Sequence, residues 1–222
     1  MKAVVLLSGG LDSTVCTSVA KDLGYELVAL SFDYGQRHSR ELACAREIAG
    51  FYQVKKHVVI ETNMRAIGGS ALTDEIDVPR GDEQRRDIPI TYVPARNLIF
   101  LSYALGLAEV ENAEKIYIGV NALDYSGYPD CRPEFIEKFQ RVADCATKAG
   151  VENRSIVVET PLQYLTKGEI VKLGLKNGAP LHLTTSCYQG GEVACGICDS
   201  CVLRLKGFRE AGIEDPIPYQ KR

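Results

Sequence analysis

The 222-residue sequence has no apolar run approaching the ~18 residues that a membrane-spanning helix requires. Its Ala3–Leu7 run is too short even for the apolar region of a secretion signal. No excess of positive charge is present either: 26 Lys and Arg stand against 29 Asp and Glu, a net charge of −3. That balance argues against nucleic acid or an anionic membrane as a non-specific partner. Internal repeats and low-complexity segments are absent, and 45% hydrophobic with 25% charged residues excludes a disordered or fibrous chain. The expectation is a cytoplasmic globular protein. At ~150 residues per domain its length corresponds to about one and a half domains.

What is present in quantity is cysteine. Eight cysteines without an export signal favour metal or chemistry over a disulfide framework. Cys16, Cys44, Cys131 and Cys145 are scattered among apolar neighbours and read as packing. Cys187, Cys195, Cys198 and Cys201 crowd into fifteen residues, spaced by seven, two and two. Four thiolates so spaced can surround one tetrahedral Zn²⁺ at ~2.3 Å each and leave no open position, which makes the site structural. Gly190, Gly191 and Gly196 relax the backbone between them. An iron–sulfur cluster or redox and sulfur-transfer cysteines are the alternatives.

Apolar periodicity alternates between strand and helix. Lys2–Leu7, Leu27–Phe32, Gln53–Ile60, Lys115–Val120 and Ser155–Val158 read as strands. Helices are expected from Leu11 to the stop at Gly24, from about Ser39 to Ala49, over Ala95–Glu111, from Pro133 to a stop at Gly150, and from about Thr166 to Asn177. The Ala95–Glu111 segment is apolar nearly all round, as a well-buried helix would be. This alternation predicts an α/β fold with a doubly wound, mainly parallel five-stranded sheet. Residues 1–180 would form the main domain and 181–222 a small zinc-binding appendage, held by the four clustered cysteines, with a C-terminal helix. The irregular stretch from Glu61 to Val93 is long enough to expect a functional or mobile loop.

At the junction of the first strand and helix lies Ser8-Gly9-Gly10-Leu11-Asp12-Ser13-Thr14, following Leu7. Two glycines permit a sharp turn and close approach of a ligand, and a helix N-terminus offers N–H groups with a positive dipole end. Ser8, Ser13 and Thr14 add hydroxyls, and Asp12 could cap the helix or hold a cation. The segment is neither a Walker loop nor the dinucleotide fingerprint. It resembles the pyrophosphate loop of the N-type ATP pyrophosphatases (the PP-loop superfamily, with an adenine nucleotide alpha hydrolase-like fold). Thr160-Pro161-Leu162 and Leu165-Thr166-Lys167-x-Glu169-Ile170 resemble the later segment of those enzymes. The resemblance implies that Leu7–Thr14, Arg96 and Lys167 bind ATP, with Lys167, Asp12 and Ser13 in the catalytic machinery. The alternative reading of Lys167, from residue type, is an ordinary solvated helix lysine.

Three further segments narrow the resemblance. They are Asp33-Tyr34-Gly35-Gln36-Arg37-His38, Val93-Pro94-Ala95-Arg96-Asn97, and the twelve residues from Asp124 to Phe135. All fall at the C-terminal ends of strands or in the loops after them, where open α/β sheets bind ligands. With the C-terminal cysteines they closely resemble the 7-cyano-7-deazaguanine synthases of queuosine biosynthesis, from about Val5 to Cys201. The resemblance implies conversion of 7-carboxy-7-deazaguanine and ammonia to a nitrile through adenylated acid and amide intermediates. ATP with Mg²⁺ would serve as cosubstrate, Zn²⁺ as a structural ion, and a homodimer as the assembly.

Residue chemistry suggests that Asp130 or Asp124 accepts hydrogen bonds from a guanine-like edge. Tyr125 or Tyr128 would stack on the ring, and Arg132 would pair with the carboxylate. Two other readings remain at this point. One is a PP-loop tRNA-thiolating enzyme that uses a cysteine for sulfur transfer, and the other a zinc-containing nucleotide- or RNA-binding module without catalysis.

Overall fold

The computed structural model describes residues 1–37, 40–82, 87–123 and 128–221. Five strands, β1 (Lys2–Leu6), β2 (Glu26–Asp33), β3 (Lys56–Glu61), β4 (Lys115–Tyr117) and β5 (Val157–Glu159), form one sheet in the order β3-β2-β1-β4-β5. Every pairing is parallel, so the doubly wound arrangement expected from the alternation is the one observed. The helices are α1 (Leu11–Asp22), α2 (Arg40–Phe51), α3 (Arg96–Glu111), α4 (Pro133–Ala146), α5 (Lys148–Val151), α6 (Lys167–Lys176) and α7 (Asp199–Ala211).

Alternation along the strands divides the interior in two. Val4, Leu6, Val28 and Leu30 face one layer with Leu101, Leu105, Ile136 and Phe139 of α3 and α4. Ala3, Val5, Leu27 and Ala29 face the opposite layer with Val15, Ile48, Ile170 and Phe208 of α1, α2, α6 and α7. Both sheet faces are therefore covered, which is why β1 and β2 read as continuous apolar runs rather than alternating ones. Phe208, beyond residue 180, belongs to this main core, while the four clustered cysteines form a small cluster of their own with Ala194.

Several element ends differ from the periodicity. Gln53 turns with φ +53 instead of opening β3. The helix beginning at Pro133 breaks at Thr147, whose extended backbone (φ −117, ψ 153) ends α4 and whose hydroxyl accepts from Gly150 N to cap α5. Gly150 thus lies inside a helix, and a Cβ there would meet Asp144 O at 2.3 Å. Nor is α3 buried all round, since Leu98, Tyr103 and Val110 are exposed. Cys145 is exposed rather than packed, whereas Cys16, Cys44 and Cys131 are buried.

The described residues between β3 and α3 are anchored at several points. Met64, Ala71 and Leu72 enter the core, and Ala71 N donates to Ile90 O at 2.8 Å. Further along, Arg80 bridges antiparallel to Cys198, Gly81 N donates to Ile197 O (2.8 Å), and Asp82 N donates to Asp199 Oδ1 (3.0 Å). Among the described residues, no helix is long and apolar enough to cross a membrane.

Candidate active site

Strand order places β1 at the switch point, with β2 on one side and β4 on the other. Ligands of open α/β sheets bind outside the strand C-termini at that position. A cleft of about 290 Å³ opens there, walled in part by residues of the segments 8–14, 33–38, 93–97, 124–135 and 165–170. Leu7, Ser8, Gly10, Leu11, Asp12 and Ser13 line one part of it, and Lys167, Arg96 and Tyr128 line others.

The loop after β1 is built around two demands on its glycines. Gly9 has φ +85, and a Cβ on it would meet Glu41 O at 2.2 Å and Ala45 N at 2.8 Å, so only glycine lets the loop lie against α2. Gly10 precedes α1 in extended conformation. Ser13 Oγ and Thr14 Oγ1 donate to Gly10 O (3.0 and 2.8 Å), while Ser8 N and Ser8 Oγ donate to Ser13 Oγ (3.2 and 3.0 Å). Those hydroxyls brace the loop. The first-turn N–H groups of α1, which no helix can pair internally, are what it offers an anion.

Lys167 is the first residue of α6. Thr166 caps that helix by accepting from Glu169 N, while the Glu169 carboxylate accepts from Thr166 N, a reciprocal capping box. The cap fixes where α6 begins and so where Lys167 points. Its ammonium lies 2.9 Å from both Asp12 oxygens, with the residue 9% exposed. Such a buried lysine, held by one carboxylate at the foot of an anion loop, is no solvated surface lysine.

On the opposite wall, Ala95 takes a left-handed conformation (φ +54), costing a non-glycine residue of order 1–3 kcal/mol. This kink starts α3 at Arg96, whose guanidinium lies 5.9 Å from the centre of the Tyr34 ring. Asp130 completes the start of the helix: its Oδ2 accepts from Asn97 N at 2.9 Å. Asp130 and Arg132 are not among the residues lining the cleft; Asp130 is buried, and Arg132 is exposed at the start of α4. Burial raises the Asp130 carboxyl pKa, against the Asn97 N–H, which lowers it. Asp130→Asn keeps an acceptor without the buried charge and is therefore expected to retain wild-type stability, while Asp130→Ala costs about 1–2 kcal/mol. Thermal or urea unfolding of the two variants checks this, and equal losses would remove the cap assignment.

Tyr128 OH pairs with Thr91 Oγ1 at 3.0 Å beside the cleft. Asp124, Tyr125 and His38 lie outside the described residues. Cys131 also lines the wall, but burial and then the Asp130 charge push its thiol up to about 12, so it stays protonated and packs.

Some wall residues carry no motif. Asn121 donates to Leu162 O and Leu165 O (2.8 and 2.6 Å), tying the end of β4 to the segment before α6. Ser31 Oγ gives its proton to Leu7 O, so His57 Nε2, 2.8 Å away, must donate to it. Burial, then Arg46, lowers the His57 pKa and favours the neutral ring. Ser31 lies within the continuous buried run of β2, and no sequence signal pairs it with His57.

The four clustered cysteines are buried, and their Sγ atoms all lie within 4.8 Å of one another. Metal–sulfur bonds of ~2.3 Å in a tetrahedron require sulfurs about 3.8 Å apart, and Cys195 Sγ and Cys201 Sγ are 3.9 Å apart. Cys195 N donates to Cys187 Sγ (3.3 Å), and Ile197 N and Cys198 N donate to Cys195 Sγ (3.4 Å each). Hydrogen bonds from the Cys198 and Cys201 thiols hold the Cys187 pKa low. The donor set fits one metal ion held by all four thiolates.

A parallel five-stranded sheet with a Ser-Gly-Gly-x-Asp-Ser loop and a cleft at its switch point is the arrangement that the resemblance to the PP-loop proteins implies. Among solved structures, NMN synthetase from Francisella tularensis shares the fold (TM-score 0.51, 16% identity, covering 96% of this chain and 78% of that one). A family model described as queuosine biosynthesis protein QueC matches residues 2–212. A 7-cyano-7-deazaguanine synthase of Desulfitobacterium hafniense is 64% identical over 219 residues, 98% of this chain and 93% of the relative. Another so named, from Acetivibrio thermocellus, is 60% identical over 222 residues, 100% of this chain and 99% of the relative. The chain belongs to the QueC family.

Proposed function

We propose that this chain is an ATP-dependent nitrile-forming ligase. It converts 7-carboxy-7-deazaguanine and free ammonia to 7-cyano-7-deazaguanine in queuosine biosynthesis. The observation that carries this reading is the Lys167–Asp12 pair beside the glycine loop, at the mouth of a cleft large enough for a heterocycle. Its relatives' name supplies the product.

Nitrile formation requires both carboxylate oxygens to leave, and each leaves poorly until joined to AMP. The acid attacks the ATP α-phosphorus, releasing pyrophosphate; ammonia then displaces AMP to give the amide. The amide oxygen attacks a second ATP, releasing pyrophosphate, and loss of AMP together with both amide N–H protons gives the nitrile. Each adenylation places negative charge on departing pyrophosphate. The α1 N–H groups and Lys167 stabilise it from fixed positions, which is where electrostatic catalysis gains most. Mg²⁺ bound with ATP would add positive charge to the same phosphates.

We assign Arg96 to a carboxylate or phosphate and Tyr128 to flank the ring, because both line the cleft and Arg132 does not. Asp124 and Tyr125 remain candidates for the substrate edge. We further assign zinc to the four cysteines. Residues 181–222 act as a metal-held strap on the body formed by 1–180. The enzyme is cytoplasmic and homodimeric, and it needs no contact with tRNA.

Incubation with ATP, Mg²⁺, ammonium and 7-carboxy-7-deazaguanine is expected to yield the nitrile with two AMP and two pyrophosphate per product. Purified protein should carry one zinc per chain. Absence of acid-dependent AMP in metal-replete protein would refute the ligase assignment, and four free thiols without metal would refute the zinc assignment.

A further inference from the structure

Arg204 is a residue that no motif drew attention to. It is 1% exposed, sits on α7, lines the cleft, and carries a full positive charge into the interior. A buried arginine beside a phosphate site would ordinarily be taken for a phosphate ligand. Its hydrogen bonds exclude that role. Nε and Nη2 form a two-pronged pair with Asp215 (2.7 and 2.9 Å). Nη2 also donates to Leu181 O (3.3 Å), and Nη1 to Thr184 Oγ1 (2.7 Å) and Ser186 Oγ (3.3 Å). A guanidinium has five N–H donors, and five acceptors of this protein take them. Its Cζ also lies over the Phe208 ring, 5.1 Å from the ring centre.

What the guanidinium grips is the segment 181–186, and that segment is fastened to the anion loop. Thr185 N donates to Gly9 O at 2.9 Å. Thr185 O stands 3.5 Å from where a Cβ on Gly10 would sit. Thr185 and Ser186 themselves line the cleft. Asp215 is in turn fixed by Tyr219 OH (2.6 Å) and Ile217 N (3.3 Å), with its side chain 3% exposed. Pro218 O and Gln220 N then pair with Ala194, next to Cys195. One charged pair therefore joins the tail and the cysteine turn to the peptide that buttresses Gly9.

We propose that Arg204, with Asp215 as its counter-ion, is a positioning residue for the ATP phosphates. It acts through Thr184–Ser186 on the Gly9 carbonyl and touches no substrate. Breaking the charged pair leaves a buried charge and frees the buttress. The loop N–H groups then lose their fixed aim, and nucleotide binding weakens while the ring end of the cleft is undisturbed. The inference rests on ATP being the loop's ligand, as the proposed function has it.

The test is direct calorimetric titration of Mg·ATP into the metal-loaded protein, beside the KM for the deazaguanine acid and the metal content. Arg204→Lys, which cannot span five acceptors, and Thr184→Val, which removes one with little change in shape, are each expected to weaken ATP binding about tenfold or more. Thr184→Ser, which keeps the hydroxyl, should stay within about twofold of wild type, and so should the KM for the acid. Metal content should not change.

Unaltered ATP affinity in Arg204→Lys and Thr184→Val would overturn the assignment. So would parallel losses of acid affinity and metal, which would mark a purely structural role. If Arg204→Lys fails to fold, the Thr184→Val and Thr184→Ser pair decides alone. Wild-type protein that binds no ATP would instead overturn the proposed function, and this inference with it.

Discussion

Replacing Lys167 with methionine is expected to lower kcat/KM for acid-dependent pyrophosphate release about 10³-fold, roughly 4 kcal/mol of transition-state stabilisation. Methionine keeps the length and apolar stem of the side chain, so what is lost is the ammonium. Two effects add. The departing pyrophosphate loses a cation held by α6 at a fixed point, and Asp12, 2.9 Å from that cation, becomes an unbalanced negative charge facing the phosphates. The stability of the fold should change far less. The Asp12 side chain is 30% exposed, so water screens the carboxylate once its partner is gone. Steady-state kinetics beside a melting curve separates the two: a kcat/KM within about threefold of wild type would remove Lys167 from the machinery.

Gly207→Ala is expected to cost about 10²-fold in the same rate, although it lies on α7 and bears no functional group. A Cβ at Gly207 would stand 2.3 Å from Lys167 Cγ and 3.0 Å from Lys167 Cβ and O. The clash is with the root of the side chain and its backbone, which cannot swing aside as a chain terminus can. Across the same crossing, a Cβ at Gly168 would meet Glu210 Cβ at 2.7 Å. The two helices thus touch through their glycines, and an added methyl must either separate them or rotate Lys167 away from Asp12. Alanine is the better helix former by about 1 kcal/mol. That gain partly offsets the overpacking cost of about 1–3 kcal/mol, so helix content should persist while the rate falls. Circular dichroism with kinetics checks this, and unimpaired turnover would show that the crossing tolerates the methyl.

Strand and helix identities were legible because β1 and β2 are covered on both faces, Gly24 follows α1 and Pro133 opens α4. The anion loop and the cysteine cluster were legible because their chemistry is local, with every contributing residue within a short stretch. Element ends set by backbone conformation were not legible. The breaks at Gln53 and Thr147 depend on φ and ψ values that residue type only biases. The exposed face of α3 was missed because apolar content does not say which faces find a neighbour.

Tertiary pairs were hidden altogether. Asp130 could be chosen for its carboxylate, but that it caps α3 follows only from the folded position of the turn carrying it. Arg204 looks like any arginine on a polar helix until Asp215, eleven residues later, folds back to meet it. The capping box at Thr166 and Glu169 was written in the sequence, and it would have fixed the start of α6 to the residue.

The anion loop lies at residues 8–14, yet Lys167, Thr185 and Gly207 complete its surroundings from the far end of the chain. On the ribosome, at 5–20 residues per second, about 10 to 40 s separate the synthesis of Gly9 from that of Arg204. Through that interval the first strand and its loop wait beside an incomplete site, and a stalled or truncated chain carries the glycines without the means to hold them. With ATP as the loop's proposed ligand, a chain stalled before Arg204 is therefore expected to pass through an ATP matrix that retains one carrying residues 181–215.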